Sequence, residues 1–203
     1  MTIYRLIAAS CMAAGLSACA AGPKVSPVEI TRFHQAATVQ QLGMGTIFIE
    51  TASDDGLTAL DLAPYKSALA TELMEVGYRE TARAEAQYIA SMSVDRYIAE
   101  EERGQSPVSV GAGGSTGSYG SGLGLGIGIN LGGRQREMRG TDMAVRIRDA
   151  ASSDVVWEGR ASFAVSDNSS LSDNAANASA IADALFREFP GNNGETVAVR
   201  VAN

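Results

Sequence analysis

The sequence predicts a single α+β domain with a largely antiparallel β-sheet, two packed helices and a glycine-rich loop or strand. Three observations indicate this fold class. Short segments that alternate polar and apolar residues, as half-buried strands do, recur along the chain. Two longer segments carry apolar residues at helical spacing, and they do not alternate regularly with the strands. Residues 104–133 hold 12 of the 22 glycines, which separates them from both patterns.

The first 19 residues have the pattern of a secretory signal. Arg5 supplies a positive charge, an apolar run extends from about residue 6 to residue 15, and small residues follow. The run is shorter than the roughly 20 apolar residues that cross a bilayer. It leads into Leu16-Ser17-Ala18-Cys19, which resembles the bacterial lipobox. That resemblance implies cleavage between Ala18 and Cys19 and attachment of lipid to Cys19. The alternative is an ordinary secretory signal with a chance cysteine.

A lipidated Cys19 would fix where the protein resides. One acyl chain binds a membrane only marginally, whereas two or three chains, palmitate among them, hold a protein durably. Residue 20 is alanine and not aspartate, and by resemblance to Gram-negative lipoproteins this favours the outer membrane, with the domain facing the periplasm. We therefore expect a signal peptide at 1–18, a lipidated tether at 19–27 and one domain at 28–203.

Charge and cysteine content exclude several classes of function. Only Arg5 among the charged residues lies in the signal, so the remaining 185 residues carry 15 basic and 23 acidic side chains, a formal charge of −8. This balance argues against a nucleic-acid partner, because phosphate binding depends on Lys and Arg. Cys11 would leave with the signal and Cys19 would be acylated. A cysteine nucleophile or thiolate metal site is then excluded.

The first half of the domain is predicted to contain two strands, a helix and a third strand. Residues 29–34 alternate weakly, and residues 45–51 are rich in β-branched and aromatic side chains. Asp61 is the predicted cap of the helix, Pro64 lies in its first turn and Gly77 ends it. Its predicted buried face comprises Tyr65, Leu69, Leu73 and Val76. Residues 88–95 alternate again and lead to a charged end at 100–103.

The glycine-rich segment divides into two parts. Its first part mixes Ser, Thr and Gly without order and is predicted to be a loop. In the second part Gly122, Gly124, Gly126 and Gly128 alternate with leucine and isoleucine, which predicts a strand with one apolar face and one bare face. The bare face is either covered within the domain or serves as a contact strand for a partner.

The second half is predicted to contain a hairpin, a helix and a final strand. Residues 143–148 and 155–163 alternate on either side of a polar turn, which places Arg146 opposite Glu158 and Trp157 in the core. Ser172 is the predicted cap of the last helix, and Pro190-Gly191 follow its end. Its predicted buried face comprises Ala178, Ile181, Ala182, Leu185, Phe186 and Phe189. Residues 196–201 form the predicted last strand.

The chain resembles the lipoprotein family of the domain of unknown function DUF4136. The resemblance rests on the lipobox and on six motifs: Thr31-Arg32-Phe33-His34, Val76-Gly77-Tyr78, residues 106–111, Val145-Arg146-Ile147-Arg148, residues 157–161 and residues 184–190. It implies an envelope lipoprotein without an established activity.

No constellation of residues indicates catalysis, a cofactor or a metal. Ser115 lies in a Gly-x-Ser-x-Gly sequence, but no helix follows it and the only histidine, His34, precedes it. A lone histidine cannot make a zinc site of the usual composition. The Asp54-Asp55 pair lacks the rest of a calcium loop. A pair of carboxylates for glycoside cleavage needs no fixed spacing and stays open.

The expected function is therefore a non-enzymatic interaction or assembly module at the periplasmic face of the outer membrane. The contact surface would be the sheet with its glycine strand, and the partner an envelope protein. The alternative is a binding module for a small envelope ligand, a lipid or a peptidoglycan fragment, held between sheet and helices.

Overall fold

The computed structural model describes residues 22–52, 57–99 and 137–202, which form one α+β domain. Two helices pack on a largely antiparallel sheet, as the sequence predicts, and the sheet of the described residues has seven strands. The elements in chain order are β1 (Val28–His34), β2 (Thr46–Thr51), α1 (Ala59–Glu75), β3 (Arg79–Glu80), β4 (Tyr88–Ala99), β5 (Met138–Asp149), β6 (Val155–Ser166), α2 (Asn174–Phe186) and β7 (Thr196–Val199).

The sheet is mixed but mostly antiparallel, with the strand order β3-β2-β4-β5-β6-β1-β7. β2 pairs in parallel with both β3 and β4. α1 provides the crossover that a parallel pair requires. All other pairings are antiparallel, and the long strands β4, β5 and β6 form the centre of the sheet.

The predicted hairpin is confirmed, including its register. β5 and β6 place Arg146 opposite Glu158, and Arg146 Nε lies 3.1 Å from a Glu158 carboxylate oxygen. Asp149 holds the turn because its Oδ1 accepts hydrogen bonds from the backbone N–H groups of Ala151 and Ser152. The alternation keeps one register from Met138 to Ile147, and the pairing shifts by one residue between Ile147 and Arg148, next to the turn.

Both helices form where predicted, but each predicted cap was wrong. α1 is capped by Thr58, and Asp61 is its partner in a capping box, accepting from the Thr58 backbone N–H at 3.0 Å. α2 is capped by Asp173, whose side chain accepts from two backbone N–H groups, whereas Ser172 belongs to a short 3-10 turn before it. Two candidate caps lie within a few residues of each other at both starts, Thr58 and Asp61 at α1 and Ser172 and Asp173 at α2, so sequence alone selects the wrong one.

The core lies between the helices and one face of the sheet. Trp157 is completely buried there, as predicted, and stacks on Phe186 with ring centroids 5.3 Å apart. A buried polar contact joins the helices, because the Tyr65 hydroxyl donates to Asn177 Oδ1 at 2.8 Å. Gly77 ends α1 at a φ of 111°, as its sequence position indicates.

The ends of the chain differ from the predicted boundaries. The last strand stops at Val199 instead of residue 201. At the other end the chain is already bound to the sheet before residue 28, because the Ser166 N–H donates to the Lys24 carbonyl at 2.9 Å and Ser26 N–H to that of Ala164 at 2.9 Å. The sheet therefore holds part of the predicted tether.

Several predicted features lie outside the described residues. They are Ala18 and Cys19 of the lipobox, Asp54 and Asp55, Ser115, and the glycines of the predicted contact strand, Gly122, Gly124, Gly126 and Gly128.

Candidate functional site

The face of the sheet opposite the helices is the candidate site, and we call it the open face. Within the described ranges no helix or strand lies over it. Most of its side chains are partly or fully exposed, and Ile89 and Ser166 are buried exceptions. An open groove of about 590 Å³ crosses it over β4, β5, β6, β1 and β7. The floor of the groove is formed by small side chains, namely Ser93, Ala144 and Ser162, which leave space above the sheet.

The strand registers sort the charged groups of the open face into rows. One row across four strands contains Asp95, Asp142, Ser162 and Glu29. Neighbouring strands lie about 5 Å apart. Three carboxylates therefore share one row at one end of the groove, and the structure gives none of them an ion pair with a described residue. We call this the acidic row.

Asp95 and Asp142 stand directly opposite each other in the acidic row. Desolvation raises the pKa of Asp142, a hydrogen bond from Tyr97 lowers it, and the charge of Asp95 raises it, with a net increase above the usual aspartate range. The Tyr97 hydroxyl donates that hydrogen bond at 3.4 Å. The ring of Tyr97 covers Gly140, where a Cβ atom would collide with it.

Two rows further along, the carboxylates of the open face are fully paired. Glu50 accepts from Ser91 Oγ at 2.6 Å and from Arg148 Nη2 at 2.9 Å, and it also pairs with Arg83. The hydrogen bond from Ser91 is the main cause that lowers the pKa of Glu50 to about 2. The two ends of the open face thus differ sharply in electrostatic character.

Glu158 is the second paired carboxylate of this region. Arg146 and Arg160 hold it from either side, with Arg160 Nη2 at 2.6 Å. Desolvation raises the pKa of Glu158, but the hydrogen bonds and charges of the two arginines outweigh it and lower the pKa overall.

No group of three or more His, Cys, Asp or Glu side chains in the described part could hold a metal ion. No described helix is long and apolar enough to cross a membrane.

The family model of a domain of unknown function, DUF4136, matches residues 31–191. The chain belongs to this family. No curated protein matches it in sequence.

Two solved structures resemble this DUF4136 protein weakly. The PelC dodecamer from Paraburkholderia phytofirmans is 14% identical with a TM-score of 0.42, over 81% of this chain and 95% of that chain. A PDZ domain protein from Parabacteroides distasonis is 13% identical with a TM-score of 0.49, over 87% of this chain and 38% of that one. Neither likeness carries information about what this chain does.

Three of the motifs that indicated the DUF4136 family meet at the end of α2. Arg32 is only 5% exposed and donates to the carbonyl of Leu185. His34 Nε2 lies 3.3 Å from the carbonyl oxygen of Gly191, and Trp157 Nε1 donates to that of Pro190 at 3.1 Å. The partners are backbone carbonyls, so these residues hold the end of α2 against the sheet.

Sequence reasoning predicted Trp157 to lie in the core but missed the acidic row. Asp95, Asp142 and Glu29 lie far apart in the chain and meet only through the registers of four strands. The alternation does place each of them on the polar face of its own strand. That local signal does not reveal which strands are neighbours.

Proposed function

We propose that this protein is a non-enzymatic interaction or assembly module, anchored through lipid on Cys19 at the periplasmic face of the outer membrane. Its open face is the docking surface for an envelope protein. One observation carries the proposal: one face of the sheet is filled by two helices, while the other is an open groove floored by small side chains. A groove of that kind lets a partner backbone approach closely.

The charge pattern gives the docking surface a direction. Glu50 and Glu158 are neutralised by arginines, whereas the acidic row is not paired within the described part. Complementary charge orients a partner more than it adds affinity. The two ends of the groove would therefore be distinguished by any partner.

The anchor is tested by comparing the native protein with Cys19→Ala in its own host. We expect the native protein to fractionate with the outer membrane and to carry acyl chains on Cys19 by mass spectrometry. The variant should appear in the soluble periplasmic fraction. Native protein without acyl chains would overturn the anchor.

The docking surface is tested by photo-crosslinking from single positions in the host. A crosslinker at Ala144, on the groove floor, should capture a discrete partner band. One at Ser67, an exposed position on α1, serves as the matched control and should not. Equal capture at both positions, or none at Ala144, would contradict the open face as the docking surface.

A small envelope ligand is the second candidate, and the groove volume supports it. About 590 Å³ lies within the range of small-molecule sites. The layer between sheet and helices, where a ligand was expected from the sequence, is filled by buried side chains in the described structure. A thermal shift with extracted lipid or muropeptide that disappears when Ala144 is replaced by Arg would favour this candidate over a protein partner.

A further inference from the structure

The N-terminal segment joins the sheet at one defined end, and we call this the Lys24 end. Lys24 pairs with Ser166 through the backbone, Ser166 stands opposite Met138, and Met138 stands opposite Ala99. These four residues form the last row of the sheet across the N-terminal segment, β6, β5 and β4. The chain toward Cys19 leaves the domain from this row.

Both helices begin at the Lys24 end. Arg96, near the end of β4, donates through Nη2 to the Ser172 carbonyl at 3.2 Å and through Nη1 to Asn174, the first residue of α2. The Tyr65 hydroxyl, in the second turn of α1, donates to Asn177 in the first turn of α2. Hydrogen bonds from Thr58 lower the pKa of Asp61, in the first turn of α1, and the charge of Arg96 also contributes to lowering it. The first turns of α1 and α2 therefore lie beside the end of β4.

Two exposed apolar side chains lie at this end. Leu60, in the first turn of α1, is 82% exposed, and Ile98, one residue from the end of β4, is 63% exposed. Met44 and Met74 are comparably exposed, at 63% and 55%, but they lie at the opposite end, just before β2 and in the last turn of α1. Exposure alone does not distinguish the two ends.

The length of the connection to the lipid distinguishes them. This step rests on the proposed function, that is, on acylation of Cys19. Four residues separate Cys19 from Lys24, so their Cα atoms are five steps apart in the chain and at most about 18 Å from each other when it is fully extended. β6 has 12 residues and is about 40 Å long. The Lys24 end is thus held at the bilayer surface, and the opposite end has no such constraint.

We propose that the Lys24 end rests on the lipid bilayer and that Leu60 and Ile98 insert between the lipid headgroups. Apolar side chains at an interface add to the attachment that acyl chains provide. The ends of β4, β5 and β6 then point toward the membrane. The groove of the open face runs across these strands and stays accessible from the periplasm.

The test uses the full protein purified from its host and added to vesicles of phosphatidylethanolamine and phosphatidylglycerol. The acyl chains of these lipids carry bromine, which quenches tryptophan. The variants are Leu60→Trp and Ile98→Trp, with Met44→Trp and Met74→Trp as controls of similar exposure. The buried Trp157 gives a constant background that the unsubstituted protein measures. We expect loss of emission and a shift to shorter wavelength at positions 60 and 98, with neither at 44 and 74.

Flotation with the vesicles and the mass of the Cys19 peptide separate the two ways of failing. Floating, acylated protein without quenching at 60 and 98, or with equal quenching at 44 and 74, overturns the orientation and leaves the anchor intact. Protein that lacks acyl chains and does not float overturns the proposed anchor and the orientation together.

Discussion

Arg32, on the buried face of β1, binds the C-terminal end of α2. Its Nε donates to the Leu185 carbonyl at 2.9 Å and its Nη2 to that of Ala184 at 3.3 Å. The last carbonyls of a helix have no partner within the helix, and that end attracts positive charge. Burial lowers the pKa of Arg32, while the charges of Glu188 and Glu195 raise it. Backbone carbonyl oxygens thus accept the hydrogen bonds of a buried arginine on β1.

Replacing Arg32 with Met should lower the free energy of unfolding by about 2–3 kcal/mol, because two buried carbonyls lose a charged donor. Urea denaturation at neutral pH measures this. The control is Arg187→Met, which removes an exposed ion pair to Asp183 on the same helix and should cost less than about 0.5 kcal/mol. Equal losses in the two variants would show that the helix-end contact contributes nothing.

Asn177 bridges the two helices. The effect of replacing it on the free energy of unfolding should therefore depend on whether the Tyr65 hydroxyl is present. Asn177→Ala leaves the Tyr65 hydroxyl and the Leu171 carbonyl without their partner and should cost about 2–3 kcal/mol. In a double-mutant cycle with Tyr65→Phe, we expect a coupling of about 1 kcal/mol. Tyr97→Phe, on the other face of the sheet, serves as the control and should add independently. An additive Asn177–Tyr65 pair would contradict the bridge.

Some contacts of the fold could be predicted from the sequence, and others could not. The hairpin was predictable because turn, alternation and partner are all local, and the Arg146–Glu158 pair followed from them. Arg32 was not recognised as buried, although it alternates in phase with Ile30, which is fully buried. Its two carbonyl partners lie 152 and 153 residues further along the chain, and no pattern in the sequence around Arg32 identifies them.

The same limit applies to the open face. The sequence predicts the strands, but the parallel pairing of β2 with β4 and the position of β1 between β6 and β7 depend on long-range packing. Asp95, Asp142 and Glu29 form the acidic row only because the strands lie in that order. The residues of an exposed sheet face are therefore easier to identify than the rows they form.

Glu50 should stabilise the folded protein at neutral pH, and this stabilisation should be lost in acid. Its pKa is about 2 when folded against an ordinary 4.5, so its ionised form stabilises the fold fully above the ordinary value. We expect Glu50→Gln to be less stable than the native protein at pH 7. The difference should shrink as the pH falls from about 4.5 toward 2, where the folded carboxylate takes up its proton. Denaturation across this pH range measures it.

Glu80→Gln on the edge strand β3 is the matched control for Glu50→Gln, because Glu80 is exposed and has no ion pair with a described residue. It should change stability little at any pH. A Glu50→Gln deficit that stayed constant down to pH 2 would mean that the charge of Glu50 does not stabilise the fold.

Asp142→Asn should make the protein more stable at neutral pH. Desolvation is the largest cause that raises the pKa of Asp142, and the facing Asp95 adds to it. A carboxyl whose folded pKa is raised costs stability once it is ionised, and that cost disappears when the pH falls below its ordinary value of 3.8. Like charges directly opposite on neighbouring strands cost up to about 1 kcal/mol. The expected gain is therefore about 0.5–1 kcal/mol at pH 7 and close to zero at pH 3.

Asp95→Asn should give a similar gain, and the two substitutions together should give less than the sum, because each relieves the same repulsion. The gain should also decrease in concentrated salt, which screens exposed charges. Chemical denaturation of the three variants at two pH values and two salt concentrations measures all of this. A loss of stability in Asp142→Asn would contradict the repulsion between Asp142 and Asp95.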